Sequence, residues 1–307
     1  MVTKQLTVEQ TNRALARKRI KSKVGKIAAL AFVYFMLLLI YAPLIYVTIY
    51  SFTDASATGV WAGFSVKTYE FLFNAENVKS MEIWRAVGNT LLVAATAAAI
   101  STVLGTLGAI GIYYTRKKWW KNTLEFVNQI PVVNAEIVTA VSLCVLFVLI
   151  TKTLNIERNF FTLVIGHVVL SIPYVVLSVL PKLQQMDPAH YEAAMDLGAT
   201  QTQALIKVVI PDIVPGILSG FMLSITLSLD DYVITAFTKP DSMIIGEEEY
   251  EFQTLSTYVD SAIKKKGLPI QLRAFTAILF GIILIVMIAM NVKSSLDAKK
   301  LSKNVKE

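Results

Sequence analysis

An all-α membrane protein with six transmembrane helices is the fold class this sequence predicts, and three observations carry that reading. Hydrophobic residues fill 55% of the 307 positions and charged residues only 17%, with a mean hydropathy of +0.57. Six apolar runs approach or exceed the length a helix needs to cross a hydrocarbon layer of about 30 Å. The Lys and Arg residues are distributed unevenly around those runs, as cations are when they stay on the cytoplasmic side.

The runs are residues 27–50, 87–114, 126–150, 160–180, 214–237 and 274–291. They divide the chain into a basic N-terminal segment (1–26), a first span (27–50), an outer segment (51–86), a transmembrane domain (87–291) and a basic tail (292–307). Of the 29 Lys and Arg residues, 8 precede the first run, 4 lie in Arg116–Lys121, 2 lie between the fourth and fifth runs and 5 follow Asn291. This places both termini in the cytoplasm, with Lys264–Lys266 as the discordant outer run. The net charge of +7 is therefore a topology signal, and nucleic-acid binding is not implied. Ala55-Ser56-Ala57 has the look of a signal-peptidase site, but the preceding apolar run is too long for a signal core, so an uncleaved first span is expected. Tyr69, Phe71, Phe73 and Trp84 in the outer segment suit a membrane interface.

Within the runs, Ser101, Gly105, Gly108 and Gly111 line the second and Gly216 and Gly220 open the fifth. Small residues let helix backbones approach closely in lipid. Pro43, Pro131 and Pro173 interrupt three runs as kinks or fixed bends.

Between the fourth and fifth runs, residues 187–213 spell two short helices. Asp187-Pro188 is a helix start, with Asp as cap and Pro at the first helical position. Gly198 supplies the left-handed residue that ends it. Thr200 and Gln203 form a capping-box pattern opening a second helix, which Pro211 is expected to stop.

The fifth run carries Asp230, Asp231 and Tyr232. Each carboxylate costs about 2.5–3.5 kcal/mol at a bilayer centre, which the neighbouring apolar residues roughly offset. Such acids must be off-centre, paired or facing water. Adjacent helical positions diverge by about 100°, so one of the two acids is expected to face a central path. Carboxylates beside a tyrosine suit a transported cation, and capping or ion pairing is the competing role. The acidic run Glu247–Glu249 with Glu251 reads as a solvated outer loop or a docking surface.

Other chemistry is missing from the sequence. No Walker A phosphate loop occurs, so ATP would be handled by a partner. His167 and His190 lack Cys or carboxylate neighbours at metal-ligand spacing, and Cys144 is a lone residue inside a span. No catalytic elbow or zinc-protease motif appears, and neither a cofactor nor a metal is expected.

Residues 192–211 place Glu192, Ala193, Ala194, Gly198 and Pro211 in one register, with Val208 and Ile210 just before the proline. This resembles the EAA loop of ABC-importer permeases, Glu-Ala-Ala, three residues, Gly, nine residues, then Ile-x-Leu-Pro. Further matches extend the resemblance to the permeases of spermidine/putrescine importers of the PotC type. They are Pro43-Leu44, Tyr50-Ser51-Phe52-Thr53, Gly63-Phe64-Ser65 with Tyr69, Asn89-Thr90-Leu91-Leu92-Val93, Ile172-Pro173-Tyr174 and Ser228 to Ile234, while 241–270 diverges. The resemblance implies the type I importer fold in a bacterial plasma membrane. It also implies a second, different permease, two ATPases below, and an outer polyamine-binding protein that delivers the substrate. By the same resemblance the loop couples to the ATPase. Alternatives are an importer of ferric iron, thiamine or an opine, and a non-transporting assembly subunit.

Overall fold

The computed structural model describes residues 8–55, 59–74, 76–154, 158–240, 242–245, 248–265 and 269–304. Ser56, Ala57, Glu247 and Lys266, singled out above, lie outside the described residues. The helices in chain order are α1 (Val8–Tyr50), α2 (Lys67–Phe73), α3 (Val78–Tyr114), α4 (Lys118–Val133), α5 (Glu136–Leu154) and α6 (Phe160–Gln185). They continue with α7 (Pro188–Asp196), α8 (Gln201–Ala204), α9 (Ile210–Asp230), α10 (Val233–Thr238), α11 (Leu255–Lys265) and α12 (Ile270–Asn304). Strands β1 (Ser242–Ile245) and β2 (Glu248–Glu251) pair antiparallel, with Ser242 opposite Glu251, so among the described residues the architecture is helical apart from one small hairpin.

Among the described residues, six helical stretches are long and apolar enough to span a bilayer: Gly25–Tyr50, Val78–Tyr114, Glu136–Thr153, Phe160–Gln185, Gln201–Asp230 and Ile270–Ala289. The third differs from its expected limits of 126–150. The chain breaks at Asn134, which is extended, so residues 126–133 belong to a separate amphipathic helix and Pro131 lies in its last turn. Pro43 and Pro173 sit inside continuous helices.

The chain forms two compact units, one of residues 78–267 and the other of 1–77 with 268–307. The final apolar helix therefore groups with the first.

In the 78–267 unit, α6 is the central element. Its Val175, Val176, Val179, Leu180 and Leu183 are buried with Ala109 and Ile112 of α3 and Ile213 of α9. Small residues make this approach possible. A Cβ on Gly105 would stand 2.7 Å from Val175 Cβ, one on Gly216 would lie 2.8 Å from Lys182 Cγ, and one on Gly220 would lie 3.2 Å from Val175 Cα. Gly108 and Gly111 are not crowded in this way. A buried hydrogen bond of 2.7 Å joins Ser101 Oγ to Ser224 Oγ across α3 and α9. In a medium where apolar side chains gain little by leaving the lipid, dispersion contacts and such bonds are what favour association.

A second cluster packs Ala140, Leu143 and Phe147 of α5 against Leu170 of α6 and Ile234 of α10. Near the start of α3, the Leu255 N–H donates to Thr90 Oγ1 at 2.8 Å and Asn89 Nδ2 donates to the Gln253 carbonyl at 2.9 Å. These bonds explain the polar Asn89-Thr90 pair at a place where the sequence is otherwise apolar.

In the other unit, Ser51 Oγ and Tyr69 Oη are 2.6 Å apart and the rings of Phe52 and Phe64 stack at 5.5 Å. Arg273 of α12 donates to the Ala55 carbonyl at 3.0 Å. The apolar side chains of α1 from Ile27 to Tyr41 are exposed, as suits a helix facing lipid or another subunit.

The helix contacts give a direct expectation. Gly105→Ala forces a methyl into Val175 and costs about 1–3 kcal/mol. Thermal melting of the detergent-purified protein reads this as a lowered midpoint, whereas Gly111→Ala leaves the midpoint within about a degree of wild type.

Candidate functional site

Two sites emerge from the fold, at opposite ends of the fifth span. The first is the loop after α6. The Asp187 side chain accepts from the Ala189 N–H at 2.9 Å and Pro188 opens α7. The helix ends at Gly198, whose φ is +87°. There the Gly198 N–H reaches the Met195 carbonyl at 3.0 Å and the Ala199 N–H reaches the Ala194 carbonyl at 3.1 Å. This is the paired-bond C-terminal motif that a left-handed residue allows. Thr200 and Gln203 then cap each other's backbone N–H at 3.3 and 3.0 Å.

One expectation fails here. Pro211 does not stop the second helix. α8 widens into a π turn at Leu205–Val209, in which the Ile210 N–H reaches back to the Leu205 carbonyl, and runs on into α9. Pro211 lacks an N–H and crowds the carbonyl four residues earlier, and a widened turn just before it accommodates both effects.

Glu192 and Ala193 are exposed and Ala194 is half-buried. Behind them, Tyr191 contacts the ring of Tyr114 at 5.6 Å, and Met186, Val209 and Ile213 enter the core. The loop is thus seated on its own bundle with one face free. Leu197, which the sequence reading passed over, is 90% exposed at the tip. Its signal was there to be found, an apolar side chain placed just before the helix-ending glycine.

The second site is a cleft of about 330 Å³ lined by Glu136, Asp230, Asp231, Tyr174, Tyr232 and Asn134 over an apolar floor that includes Leu170 and Leu227. Two helix interruptions build it. α4 ends and α5 begins around Asn134, and α9 ends at Asp230 while α10 begins at Val233. Helices broken inside a membrane leave polar backbone and side chains facing a shared cavity. No Lys or Arg is among the lining residues, and the charges nearest Glu136 are those of Asp231 and Asp230.

The two aspartates play different parts, and the reason is the helix break rather than a 100° step along one helix. Asp231 is extended, with ψ 126°. Its buried carboxylate accepts from the Ile234 N–H at 3.1 Å, the Thr235 N–H at 2.8 Å and the Thr235 hydroxyl at 2.9 Å. It therefore caps α10. Asp230 is exposed and makes no hydrogen bond or ion pair among the described residues. Tyr232 donates to Asp260 Oδ2 at 2.9 Å, and Lys264 reaches the same oxygen at 2.7 Å. The Lys264 ammonium holds the Asp260 carboxyl below the usual carboxylate range, with a smaller contribution from the Tyr232 hydroxyl. Of the lining acids, Glu136 was missed in the sequence because residues 126–150 read as one helix, which buried it mid-span instead of at a break.

This division of labour is testable. Asp231→Ala leaves the α10 N–H groups unpaired and costs about 2–4 kcal/mol, whereas Asp230→Ala stays within about 0.5 kcal/mol of wild type. Thermal unfolding of the two variants compares them directly. An Asp231→Ala midpoint equal to that of Asp230→Ala contradicts the capping role.

Residues 101–300 match the profile of the family described as binding-protein-dependent transport system inner membrane component. The chain is 35% identical over 200 residues to the putrescine transport system permease protein PotI of Escherichia coli K12, covering 64% of this chain and 69% of that protein. It is 31% identical over 250 residues to the spermidine/putrescine transport system permease protein PotC of the same strain, covering 81% and 87%. With PotC of Haemophilus influenzae the identity is 30% over 270 residues, covering 88% and 96%. The fold is shared with a chain of a bacterial ABC transporter that imports the acidic polysaccharide alginate, at a TM-score of 0.61 and 15% identity over 90% of this chain and 96% of that one. Six helices of spanning length, a capped helical loop between two of them and a profile match over most of the bundle agree, and the chain belongs to the binding-protein-dependent transport system inner membrane component family.

Proposed function

We propose that this chain is the permease subunit of an ATP-driven importer of polyamines such as spermidine and putrescine, forming half of the translocation pathway. The acidic cleft carries the reading. Three carboxylates converge on it with no lining cation, an arrangement of like charges that a bound cation relieves. Among the described residues no three His, Cys, Asp or Glu side chains are grouped to hold one metal ion. Glu136 and Asp231 stand side by side and Asp230 is exposed near them, an acidic lining that suits an organic ammonium cation. Tyr174 and Tyr232 add ring faces that attract ammonium. A cleft with this lining repels a polyanion, so sharing a fold with an alginate importer does not carry that substrate over. The relatives named for spermidine and putrescine transport agree with a cationic cargo.

In this reading Asp230 and Glu136 contact the passing amine, Tyr232 shapes the rim and Asp231 holds the helix break. Glu192, Ala193, Ala194, Gly198 and Pro211 form the coupling loop on which a separate ATPase docks, with Leu197 as the apolar tip. Both termini lie in the cytoplasm, as the cation distribution favours. A second permease of different sequence completes the pathway, two ATPases sit below, and an outer polyamine-binding protein delivers the cargo.

The test is uptake of labelled spermidine and putrescine in cells lacking the gene and in cells with it restored. Restoration by the wild type and a loss of roughly tenfold or more in Asp230→Asn and Glu136→Gln, at equal membrane levels, are expected. Gly198→Asp is expected to abolish uptake while the protein still inserts, because the residue must hold a positive φ on the docking face. Uptake unchanged by deletion, in cells without a redundant importer, overturns the polyamine assignment. Normal uptake by Asp230→Asn and Glu136→Gln overturns the role of the cleft.

A further inference from the structure

His167 lies far from the loop and does not line the acidic cleft, yet it is buried to 1% exposure and fully engaged. Its Nδ1 is 2.8 Å from Ser228 Oγ of α9, and its Nε2 is 3.0 Å from Thr235 Oγ1 of α10 and 3.6 Å from Asp231 Oδ2. One imidazole on α6 therefore touches the helix on each side of the break, and the carboxylate between them.

The bonding favours one tautomer. Thr235 Oγ1 donates to Asp231 Oδ2 at 2.9 Å, so its lone pair faces His167 Nε2 and a hydrogen on Nε2 completes the pair. Nδ1 is then the acceptor for the Ser228 hydroxyl. A Ser-His-Asp trio of this kind invites comparison with a catalytic triad. Burial of Ser228 to 3% exposure and the pairing of Asp231 with backbone N–H groups remove that reading. The preceding residue adds to the fit. A Cβ on Gly166 would stand 2.9 Å from Ile234 Cγ2 and 3.1 Å from Thr238 Oγ1. α10 is thus pressed against α6 at Gly166 and hydrogen-bonded to it at His167.

We propose that His167 is a positioning residue for cation passage. By tying Ser228, Thr235 and Asp231 to α6 it holds the chain turned between α9 and α10, which leaves Asp230 exposed at the cleft with a free carboxylate. The inference rests on the reading of the cleft as the polyamine path. Histidine suits the task because its two nitrogens reach in opposite directions, one accepting and one donating, and no aliphatic residue of that size spans both helices.

The experiment uses the complete transporter in proteoliposomes with its binding protein, measuring labelled spermidine carried per ATP hydrolysed and per assembled complex. His167→Leu is expected to lower that ratio roughly tenfold. His167→Gln keeps a donor toward Thr235 and is expected to recover most of it. Ser228→Ala and Thr235→Val each remove one partner, with a loss of about threefold, and they carry the test if His167→Leu fails to assemble. In an Asp230→Asn background His167→Leu adds no further loss, since it acts through Asp230. A residue needed only for packing behaves differently. It lowers the amount and melting temperature of the complex by the same margin with or without Asp230→Asn and leaves spermidine per ATP unchanged, and that pattern overturns the proposal. If the wild type carries no amine, the polyamine reading falls and this inference with it. If the wild type carries spermidine and the four variants all keep the wild-type ratio, the positioning role alone falls.

Discussion

Close backbone approach around α6 is the constraint on which the 78–267 unit depends. Val175 serves both neighbours at once, since Gly105 of α3 and Gly220 of α9 each leave a space that its backbone or side chain fills. In water a bundle gathers because apolar surface leaves the solvent. In lipid that term is nearly absent, and shape complementarity takes over. The three helices are held by fit, with one buried serine pair as the polar fastener between α3 and α9. The hairpin, helix α11 and the loop with Leu197 all hang from that core.

Given a core packed so tightly, the polar work has to happen where helices end. Both interruptions that frame the cleft lie beside α6. One is stabilised by the Asp231 carboxylate and the imidazole beneath it, and the other at Asn134 leaves Glu136 to open α5. Placing acids at the start of a short helix satisfies free N–H groups and favours negative charge there through the helix dipole. The same groups that make the break affordable in a membrane thus concentrate negative charge on the cleft.

Much of this was legible in residue order. Asp187-Pro188, Gly198 and Thr200 with Gln203 signal their caps through local backbone chemistry, and local chemistry survives folding unchanged. The apolar runs announced their helices for the same reason. What could not be read was whatever depends on a neighbour. Pro211 looks like a stop signal, but a π turn lets the helix pass. Residues 126–150 look like one span because apolarity continues across a break that only Asn134 marks. Glu136 was hidden by the same apolar continuity, and His167 looked isolated because the Asp231 carboxylate it faces comes from far along the chain. Asp230 and Asp231 are neighbours in sequence, yet one ends a helix and the other caps the next from an extended turn, a distinction invisible to a helical wheel.

The passage of α8 through the π turn into α9 has a geometric consequence. Gln201–Asp230 is one apolar helical stretch of 30 residues, about 45 Å end to end at 1.5 Å per residue. It starts next to Gly198 at the exposed loop and finishes at the unpaired carboxylate. A rod of that length converts angle into travel, and a tilt of about 5° about one end carries the other through about 4 Å. Force applied at the loop therefore needs no relay of side chains to be felt at Asp230, because the backbone itself is the lever.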